Sequence, residues 1–228
     1  MRDPPVSSTE TAADLGTGAQ PGEARAAALR QAQEAGTQAQ GAAQARSAPA
    51  GATLWFTGLP SAGKSTIANA LADRLAETGR RVQVLDGDEV RPHLSSGLGY
   101  SREDRDLNVK RIGWVARLLA SHGVVVLVPV IAPYAAAREA VRADHAEAGV
   151  RFAEIYVSTS IEVAESRDVK GLYARARRGE LSGLTGVDDP YERPDRPELV
   201  LDTARVGLAT AVERTASLLA AITEEPAR

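Results

Sequence analysis

The stretch that decides the fold runs Leu54-Trp55-Phe56-Thr57-Gly58-Leu59-Pro60-Ser61-Ala62-Gly63-Lys64-Ser65-Thr66. A short apolar segment, typical of a buried strand, leads into Gly58–Ser65, which fits the pattern G-x-x-x-x-G-K-[ST] in full. Glycines let backbone N–H groups turn toward a triphosphate, and a helix that starts here points its positive end at the same charge. An accidental glycine turn would not need both a strand before it and an amphipathic helix after it. The motif therefore predicts a nucleotide-binding loop.

The residue types in this loop predict ATP together with Mg²⁺. Lys64 can reach the β- and γ-phosphates, and the Ser65 hydroxyl can bind the magnesium ion. A GTPase would also carry the guanine-reading pattern [NT]-K-x-D, which the chain lacks. The predicted ATP-binding residues are Gly58, Ser61, Ala62, Gly63, Lys64, Ser65 and Thr66.

Strand and helix patterns alternate on both sides of the loop, which predicts a parallel sheet. Predicted strands are 54–57, 82–85, 124–130, 152–157 and 199–201, and predicted helices are 64–78, 105–122, 135–148 and 206–222. The fold class is α/β, a P-loop NTPase-like parallel sheet with helices on both faces and a flexible lid. Residues 51–228 are predicted to form this kinase-like domain.

Two segments depart from the alternation. Residues 1–50 are rich in Ala, Gln, Gly, Ser and Thr, and predict a disordered low-complexity leader with no catalytic role. Residues 171–197 are rich in Arg, Gly, Asp and Pro, and predict a lid with few apolar anchors between Lys170 and Asp188. The positive charges of this lid should lie over phosphates: Lys170, Arg175, Arg177 and Arg178.

The composition of the chain excludes several classes of binding partner and of chemistry. The net charge of the 228-residue chain is −3, so no overall positive field favours nucleic acid or an anionic membrane. Cysteine is absent, which excludes disulfides and thiol catalysis. The longest apolar run, 124–132, is too short to span a bilayer, and the first residues lack the apolar core of a secretory signal. We expect a cytoplasmic protein that binds a small nucleotide.

The second predicted strand ends in Asp86-Gly87-Asp88-Glu89-Val90-Arg91. Ligands of open parallel sheets bind beyond the carboxyl ends of the strands, which places Asp86 near the phosphate loop. A carboxylate there can hold magnesium or accept the proton of an attacking hydroxyl. The alternative is a turn built from Asp and Gly without a chemical role.

At this point the sequence closely resembles the adenylyl-sulfate kinase family over about residues 52–202. The motifs that carry the resemblance are Gly58–Thr66, Asp86–Arg91, Leu98–Ser101 with Asp104, Arg105 and Asn108, Ile131–Tyr134, Arg167–Tyr173, Gly183–Asp188 and Pro190–Glu192. The family implies transfer of the ATP γ-phosphate to the ribose 3′-hydroxyl of adenylyl sulfate. It also implies a homodimer, and a sulfate adenylyltransferase is a possible functional partner.

Carried over residue by residue, the resemblance implies that Asp86 and Lys64 are catalytic and that Ser65 and Asp86 hold the metal. It implies an acceptor site formed by Asp86, Asp88, Arg91, Tyr100, Arg105, Asn108, Ile131, Lys170, Gly183 and Leu184. Two of these have other interpretations. Arg105 could belong to a solvated helix start, and Tyr100 could be a core aromatic and not a base-stacking ring.

Four positions differ from the family pattern. Ala132 stands where many members have a serine that can become phosphorylated, and Leu184 replaces a Phe that commonly stacks on adenine. Glu89 and Leu107 replace the usual Asn and Glu. Because the acceptor half is altered while the phosphate half is intact, two alternatives stay open. One is a kinase of another nucleotide, such as cytidine diphosphoramidate, and the other is a non-catalytic nucleotide-binding module.

Overall fold

The computed structural model describes residues 50–224, so the prediction about the leader at 1–50 lies outside the described residues apart from its last position. The strands are β1 (Ala52–Thr57), β2 (Val82–Val84), β3 (Val125–Pro129), β4 (Arg151–Val157) and β5 (Leu199–Leu201). The helices are α1 (Lys64–Glu77), α2 (Gly87–Leu94), α3 (Arg102–Ser121), α4 (Ala135–Glu147), α5 (Ile161–Arg167), α6 (Leu172–Arg177) and α7 (Leu208–Glu224).

The strands form one parallel sheet in the order β2-β3-β1-β4-β5. The predicted α/β fold is therefore confirmed. Strand β1 lies at the centre, where Leu54 is opposite Leu127 of β3 and Ala153 of β4. After β1 the chain builds one side of the sheet with β2 and β3, and then crosses to build the other side with β4 and β5. The carboxyl end of β1 is thus the switch point at which ligands bind in such sheets.

Both faces of the sheet are covered by helices, and side-chain alternation along β1 shows how. Leu54 and Phe56 face a core shared with α1 and α7, whereas Trp55 faces a core shared with α3 and α4. Every residue of β1 and β3 is buried, as expected for a parallel sheet packed on both faces. Within residues 50–224, none of the helices combines the length and apolar content needed to cross a membrane.

Helices α2 and α5 escaped the sequence prediction, each for a physical reason, whereas α6 lies at the start of the lid segment, its one part that looks helical in sequence. Helix α2 has no fully buried residue and only two half-buried apolar ones, Val90 and Leu94, so its apolar pattern is short, and Pro92 lies inside it. Its start is fixed by its N-cap, because the Asp86 carboxylate accepts a hydrogen bond from the backbone N–H of Asp88. Helix α5 has only seven residues and is capped in the same way by Ser160.

The predicted start of α3 at Arg105 is one turn too late. The helix begins at Arg102, because the Ser101 hydroxyl accepts the backbone N–H of Asp104 and two acidic residues follow in the first turn.

In the middle of α3, Gly113 faces Val141 of α4. A Cβ added to Gly113 would lie 2.7 Å from Cγ2 of Val141. Glycine at that position lets α3 and α4 approach closely.

The prediction that the lid has few apolar anchors is wrong. Tyr173 and Leu184 are buried and pack with Ala164, and the Tyr173 hydroxyl donates to the Pro60 carbonyl at 3.1 Å. The expected cation cluster is also divided, since Arg177 pairs with Glu165 and Arg178 pairs with Glu180 at the exposed surface. The flexibility of the lid stays a prediction.

Candidate active site

The phosphate loop lies between the end of β1 and the start of α1. Its backbone takes left-handed or related conformations at Gly58 (φ +146°), Ser61 (φ +57°) and Gly63 (φ +103°). At Gly58 a side chain is excluded, because an added Cβ would lie 2.4 Å from the carbonyl oxygen of Val157. The loop thus brings backbone N–H groups and the N-terminus of a 14-residue helix to one place, an arrangement suited to phosphate oxygens.

The phosphate loop is also held by hydrogen bonds from residues that follow β4 and β5, and the sequence did not reveal these bonds. The carbonyl oxygen of Ala62 accepts hydrogen bonds from the hydroxyls of Thr159 (3.2 Å) and Thr203 (2.8 Å). Arg167 at the end of α5 donates to the same oxygen at 3.4 Å and to the Thr203 hydroxyl at 2.7 Å. Thr159 and Thr203 follow the carboxyl ends of β4 and β5, and this position is the one sequence signal that could have indicated them.

Lys64 is buried and lies against its own loop. Its ammonium nitrogen donates to the carbonyl oxygens of Gly58 (3.0 Å) and Leu59 (2.7 Å). Burial lowers the pKa of Lys64 to about 7, and the neighbouring Asp86 carboxylate opposes part of that shift. A triphosphate placed in the loop would favour the charged form of this lysine.

Ser65 and Asp86 form the pair predicted to hold magnesium. The Ser65 hydroxyl donates to one carboxylate oxygen of Asp86 at 2.5 Å, and the other oxygen accepts the Asp88 N–H at 3.0 Å. Both are hard oxygen donors of the type that Mg²⁺ prefers. Among residues 50–224 no cluster of three or more metal-binding side chains occurs. The pair therefore fits an ion that takes its remaining ligands from phosphate oxygens and water, as Mg²⁺ does in sites of this class.

A cleft of about 270 Å³ opens beside this pair and gathers most of the predicted residues. Those that line it are Ser61, Gly63, Lys64, Ser65, Thr66, Asp86, Asp88, Arg91, Tyr100, Arg105, Asn108, Ile131 and Lys170. Gly58 and Ala62 belong to the loop but are buried, and they do not line the cleft. Gly183 and Leu184 do not line the cleft. The expectation that Leu184 forms part of the acceptor pocket is not met, because its aliphatic side chain is buried against Ala164 and Tyr173.

The wall formed by α2 and the following turn carries an arginine and an aromatic ring. Tyr100 is 67% exposed, so it is not a core aromatic. The guanidinium of Arg91 lies 4.3 Å from the centroid of the Tyr100 ring and contacts the carbonyl oxygens of Leu98 and Gly99. This stacked pair presents a cation and a π surface to the cleft.

Arg105 is buried, which excludes its interpretation as part of a solvated helix start. Its three nitrogens donate to the Tyr100 carbonyl (2.8 Å), the Thr185 hydroxyl (2.9 Å) and the Gly183 carbonyl (2.5 Å). Arg105 therefore connects the start of α3 to the lid. Asn108, one turn later on the same face, accepts a hydrogen bond from the Ser95 hydroxyl at 2.6 Å.

The mouth of the cleft is bridged by an ion pair. Lys170, just before the lid, contacts the carboxylate of Asp88 on α2, and both side chains are more than half exposed. An exposed pair of this kind contributes little to stability, about 0–1 kcal/mol, so an anionic ligand can replace Asp88 as the partner of Lys170 at small cost.

Comparisons with known proteins place these features in one family. The family model described as Adenylylsulphate kinase matches residues 50–202. The chain is 54% identical over 168 residues to the adenylyl-sulfate kinase of Myxococcus xanthus, covering 72% of this chain and 90% of that protein. It is 51% identical over 164 residues to the adenylyl-sulfate kinase of Picosynechococcus, again covering 72% of this chain and 90% of that protein.

A solved structure agrees with this match. The APS kinase of Mycobacterium tuberculosis, determined in complex with AMPPNP and APS, is 44% identical to the chain and superposes with a TM-score of 0.70. The superposition covers 75% of this chain and 97% of the mycobacterial one.

Proposed function

The chain belongs to the adenylylsulphate kinase family, and from that premise we propose that it transfers the γ-phosphate of ATP to the ribose 3′-hydroxyl of adenylyl sulfate. The products are ADP and 3′-phosphoadenylyl sulfate. The acceptor oxygen forms a bond to the γ-phosphorus as the bond between that phosphorus and the β–γ bridging oxygen breaks. The hydroxyl proton leaves to a base.

The observation that carries the proposal is the position of Asp86. Its carboxylate contacts Ser65, the second residue of α1 and the end of the phosphate loop, and it caps α2, the helix that carries Arg91. One side chain thus joins the half of the cleft suited to a triphosphate with the half suited to an anionic acceptor. A module that only bound a nucleotide would not need this second half.

The roles of the other residues follow from phosphoryl-transfer chemistry, which depends on position and charge more than on covalent help. Ser65 and Asp86 would hold Mg²⁺, which supplies positive charge to the phosphate oxygens. Lys64 in its charged form stabilises the negative charge on the transferring group, and Asp86 is also close enough to the acceptor half to take the hydroxyl proton.

The acceptor would lie between α2 and the side of the cleft formed by Ile131 and Ala132, which we call the Ile131–Ala132 wall. Arg91 and Lys170 provide positive charge for its phosphosulfate, Asn108 provides an amide for polar contacts, and Tyr100 provides a surface for its base. Leu184 is proposed to contribute only by stabilising the lid, because it is buried away from the cleft.

We expect direct transfer with both substrates bound together. Ala132 is 3% exposed and has no hydroxyl that could carry a phosphate. Initial-rate plots at several fixed concentrations of adenylyl sulfate should therefore intersect, and intact-mass measurement after incubation with Mg²⁺ and ATP alone should show no adduct. Parallel lines with a competent phosphoenzyme would contradict this prediction.

The same ADP-release assay tests the acceptor. Adenylyl sulfate should be used far better than cytidine diphosphoramidate, AMP or a simple alcohol. Preference for cytidine diphosphoramidate would favour the second kinase hypothesis, and no turnover with any acceptor despite ATP binding would favour the non-catalytic module.

We also propose a homodimer that uses the outer face of α3. Leu107, Trp114 and Leu118 lie on one face of that helix and are 39%, 54% and 43% exposed. Beside them a groove of about 440 Å³ between α3 and α4 is lined mainly by small and apolar residues, with Asp106, Lys110 and Asp144 also in its lining. A largely apolar surface of this kind is typical of a subunit interface.

Light scattering should give twice the chain mass, and Trp114→Glu should give a monomer. A monomeric wild type would contradict the dimer.

We further propose that the protein is cytoplasmic, where ATP is supplied. We also propose a functional link to a sulfate adenylyltransferase, the enzyme that makes adenylyl sulfate.

A further inference from the structure

Arg138 on α4 is a buried arginine with no contact to the phosphate loop. It is 2% exposed, and each of its three nitrogens makes one hydrogen bond of 2.7 Å. Nε donates to the carboxylate of Glu154, which is itself 2% exposed, Nη1 donates to the carbonyl of Ala132, and Nη2 donates to the carbonyl of Glu192.

The three partners belong to three separate parts of the molecule. Glu154 lies in β4, Ala132 belongs to the Ile131–Ala132 wall of the cleft, and Glu192 lies where the lid returns to the domain. Ala132 has a φ of +43°, a backbone conformation that a non-glycine residue adopts only when its surroundings impose it. The hydrogen bond from Arg138 to its carbonyl is one such constraint.

A second set of contacts joins the same wall to the same end of the lid. The Thr57 hydroxyl donates to the carbonyl of Ile131 at 2.6 Å and lies 2.9 Å from the hydroxyl of Tyr191. Since the Thr57 proton is used on Ile131, Tyr191 donates to Thr57. Burial raises the pKa of Tyr191, so it stays a neutral donor at physiological pH. Glu192 adds a third contact, because its carboxylate accepts the backbone N–H of Ala135 at 2.7 Å.

We propose that Arg138 is a positioning residue for the acceptor: it fixes the Ile131–Ala132 wall and residues 189–192 of the lid as one unit attached to the sheet. This inference rests on the proposed function, because it assigns that wall to the acceptor half of the cleft. A buried ion pair alone is weak evidence for a stability role, since an apolar pair of similar volume often serves as well. The planar guanidinium, in contrast, is suited to holding three oxygens in fixed directions.

The test is Arg138→Lys with Arg142→Lys as its matched control. A lysine keeps the charge opposite Glu154 but places its donors on one nitrogen, so it cannot reach Glu154 and the two carbonyls in the three directions that the planar guanidinium spans. Arg142, one turn along α4, contacts the same Glu154 carboxylate at 3.3 Å, and it also pairs with Glu198 and Glu139, neither of which lines the cleft. Both variants therefore disturb the buried Glu154 carboxylate, but only Arg138→Lys disturbs the Ile131–Ala132 wall.

We expect Arg138→Lys to raise the KM for adenylyl sulfate on the order of 10-fold and to lower kcat, because a misplaced substrate loses rate steeply. The KM for ATP should stay within about twofold, and limited proteolysis should cut more readily near residues 189–197. Arg142→Lys should leave both KM values unchanged. Equal effects of the two variants on folded enzyme, or equal increases in both KM values, would overturn the proposal.

Tyr191→Phe keeps the inference testable where Arg138→Lys does not fold. It removes one hydroxyl and retains the ring stacked on Tyr156, 5.9 Å away. It should raise the KM for adenylyl sulfate and not that for ATP, and an unchanged value would count against the proposal. Wild-type protein without activity on adenylyl sulfate would refute the proposed function, whereas an active wild type with an acceptor KM insensitive to these variants refutes only the role of Arg138.

Discussion

Replacing Lys64 with alanine is expected to reduce phosphoryl transfer by about 10³-fold or more, the scale on which a cation aimed at the transferring phosphate acts. The fold should persist, because the hydrogen bonds of Lys64 go to the carbonyls of Gly58 and Leu59 and not to the core. Coupled ADP release measures the rate, and thermal unfolding followed by circular dichroism checks the fold.

Arg74→Ala is the matched control for this variant. It removes an exposed cation from the last turn of the same helix, where Arg74 pairs with Glu213, and should leave turnover unchanged. Near-normal turnover of Lys64→Ala would show that the phosphate-loop assignment is wrong.

The lowered pKa of Lys64 adds a second readout. With a pKa of about 7 before the nucleotide binds, Lys64 is largely neutral at pH 8, and a triphosphate should restore its proton. Binding of Mg²⁺ and ATP at pH 8 should therefore take up a proton, which calorimetry in two buffers of different ionisation enthalpy measures. Lys64→Ala should lose that uptake, and Arg74→Ala should keep it.

The elements that carry an apolar period were predictable from the sequence, and those held by polar contacts were not. Strand β5 was predicted at its observed residues because its apolar residues form part of the sheet, and α1 was predicted to within one residue because it presents an apolar face to the sheet. Helix α2 has only two half-buried apolar residues, Val90 and Leu94, and its start is set by the Asp86 cap. A cap motif of Asp and Gly is indistinguishable from a turn until the strand before it is placed.

In the candidate site, too, local sequence patterns placed some residues but could not predict contacts between residues that are distant in sequence. Residues that follow a strand in a parallel sheet could be placed at the cleft, and Asp86 and Ile131 do line it. The resemblance placed Arg105 and Leu184 at the acceptor site, where Arg105 lines the cleft and Leu184 does not. Their contacts could not be predicted because the partners are distant in sequence: Arg105 reaches Thr185, 80 positions away, and Leu184 packs on Ala164. Nothing in local patterning selects Arg138 over the other arginines of α4, since its role depends on two carbonyls that the chain brings from elsewhere.

Asp86→Asn should lower turnover by about 10²–10⁴, the usual effect of removing a general base, with little change in the affinity for ATP. An amide keeps the shape of the side chain but cannot take a proton or offer magnesium a full charge. The fold should persist because Asn caps helices about as well as Asp, so α2 keeps its N-cap. The exposed Asp73→Asn on α1 makes the same chemical change away from the cleft and should leave turnover unchanged.

Two further measurements on Asp86→Asn separate the two roles open to the carboxylate. If its main role is to hold the metal through the pair with Ser65, raising the Mg²⁺ concentration should recover part of the lost rate, and Ser65→Ala should show the same magnesium dependence. If its main role is to accept the hydroxyl proton, excess magnesium should not help. The rate of the variant should instead rise with pH as hydroxide takes over from the missing base. An unchanged turnover number in Asp86→Asn would remove this residue from the mechanism altogether, since neither role survives the loss of the charge.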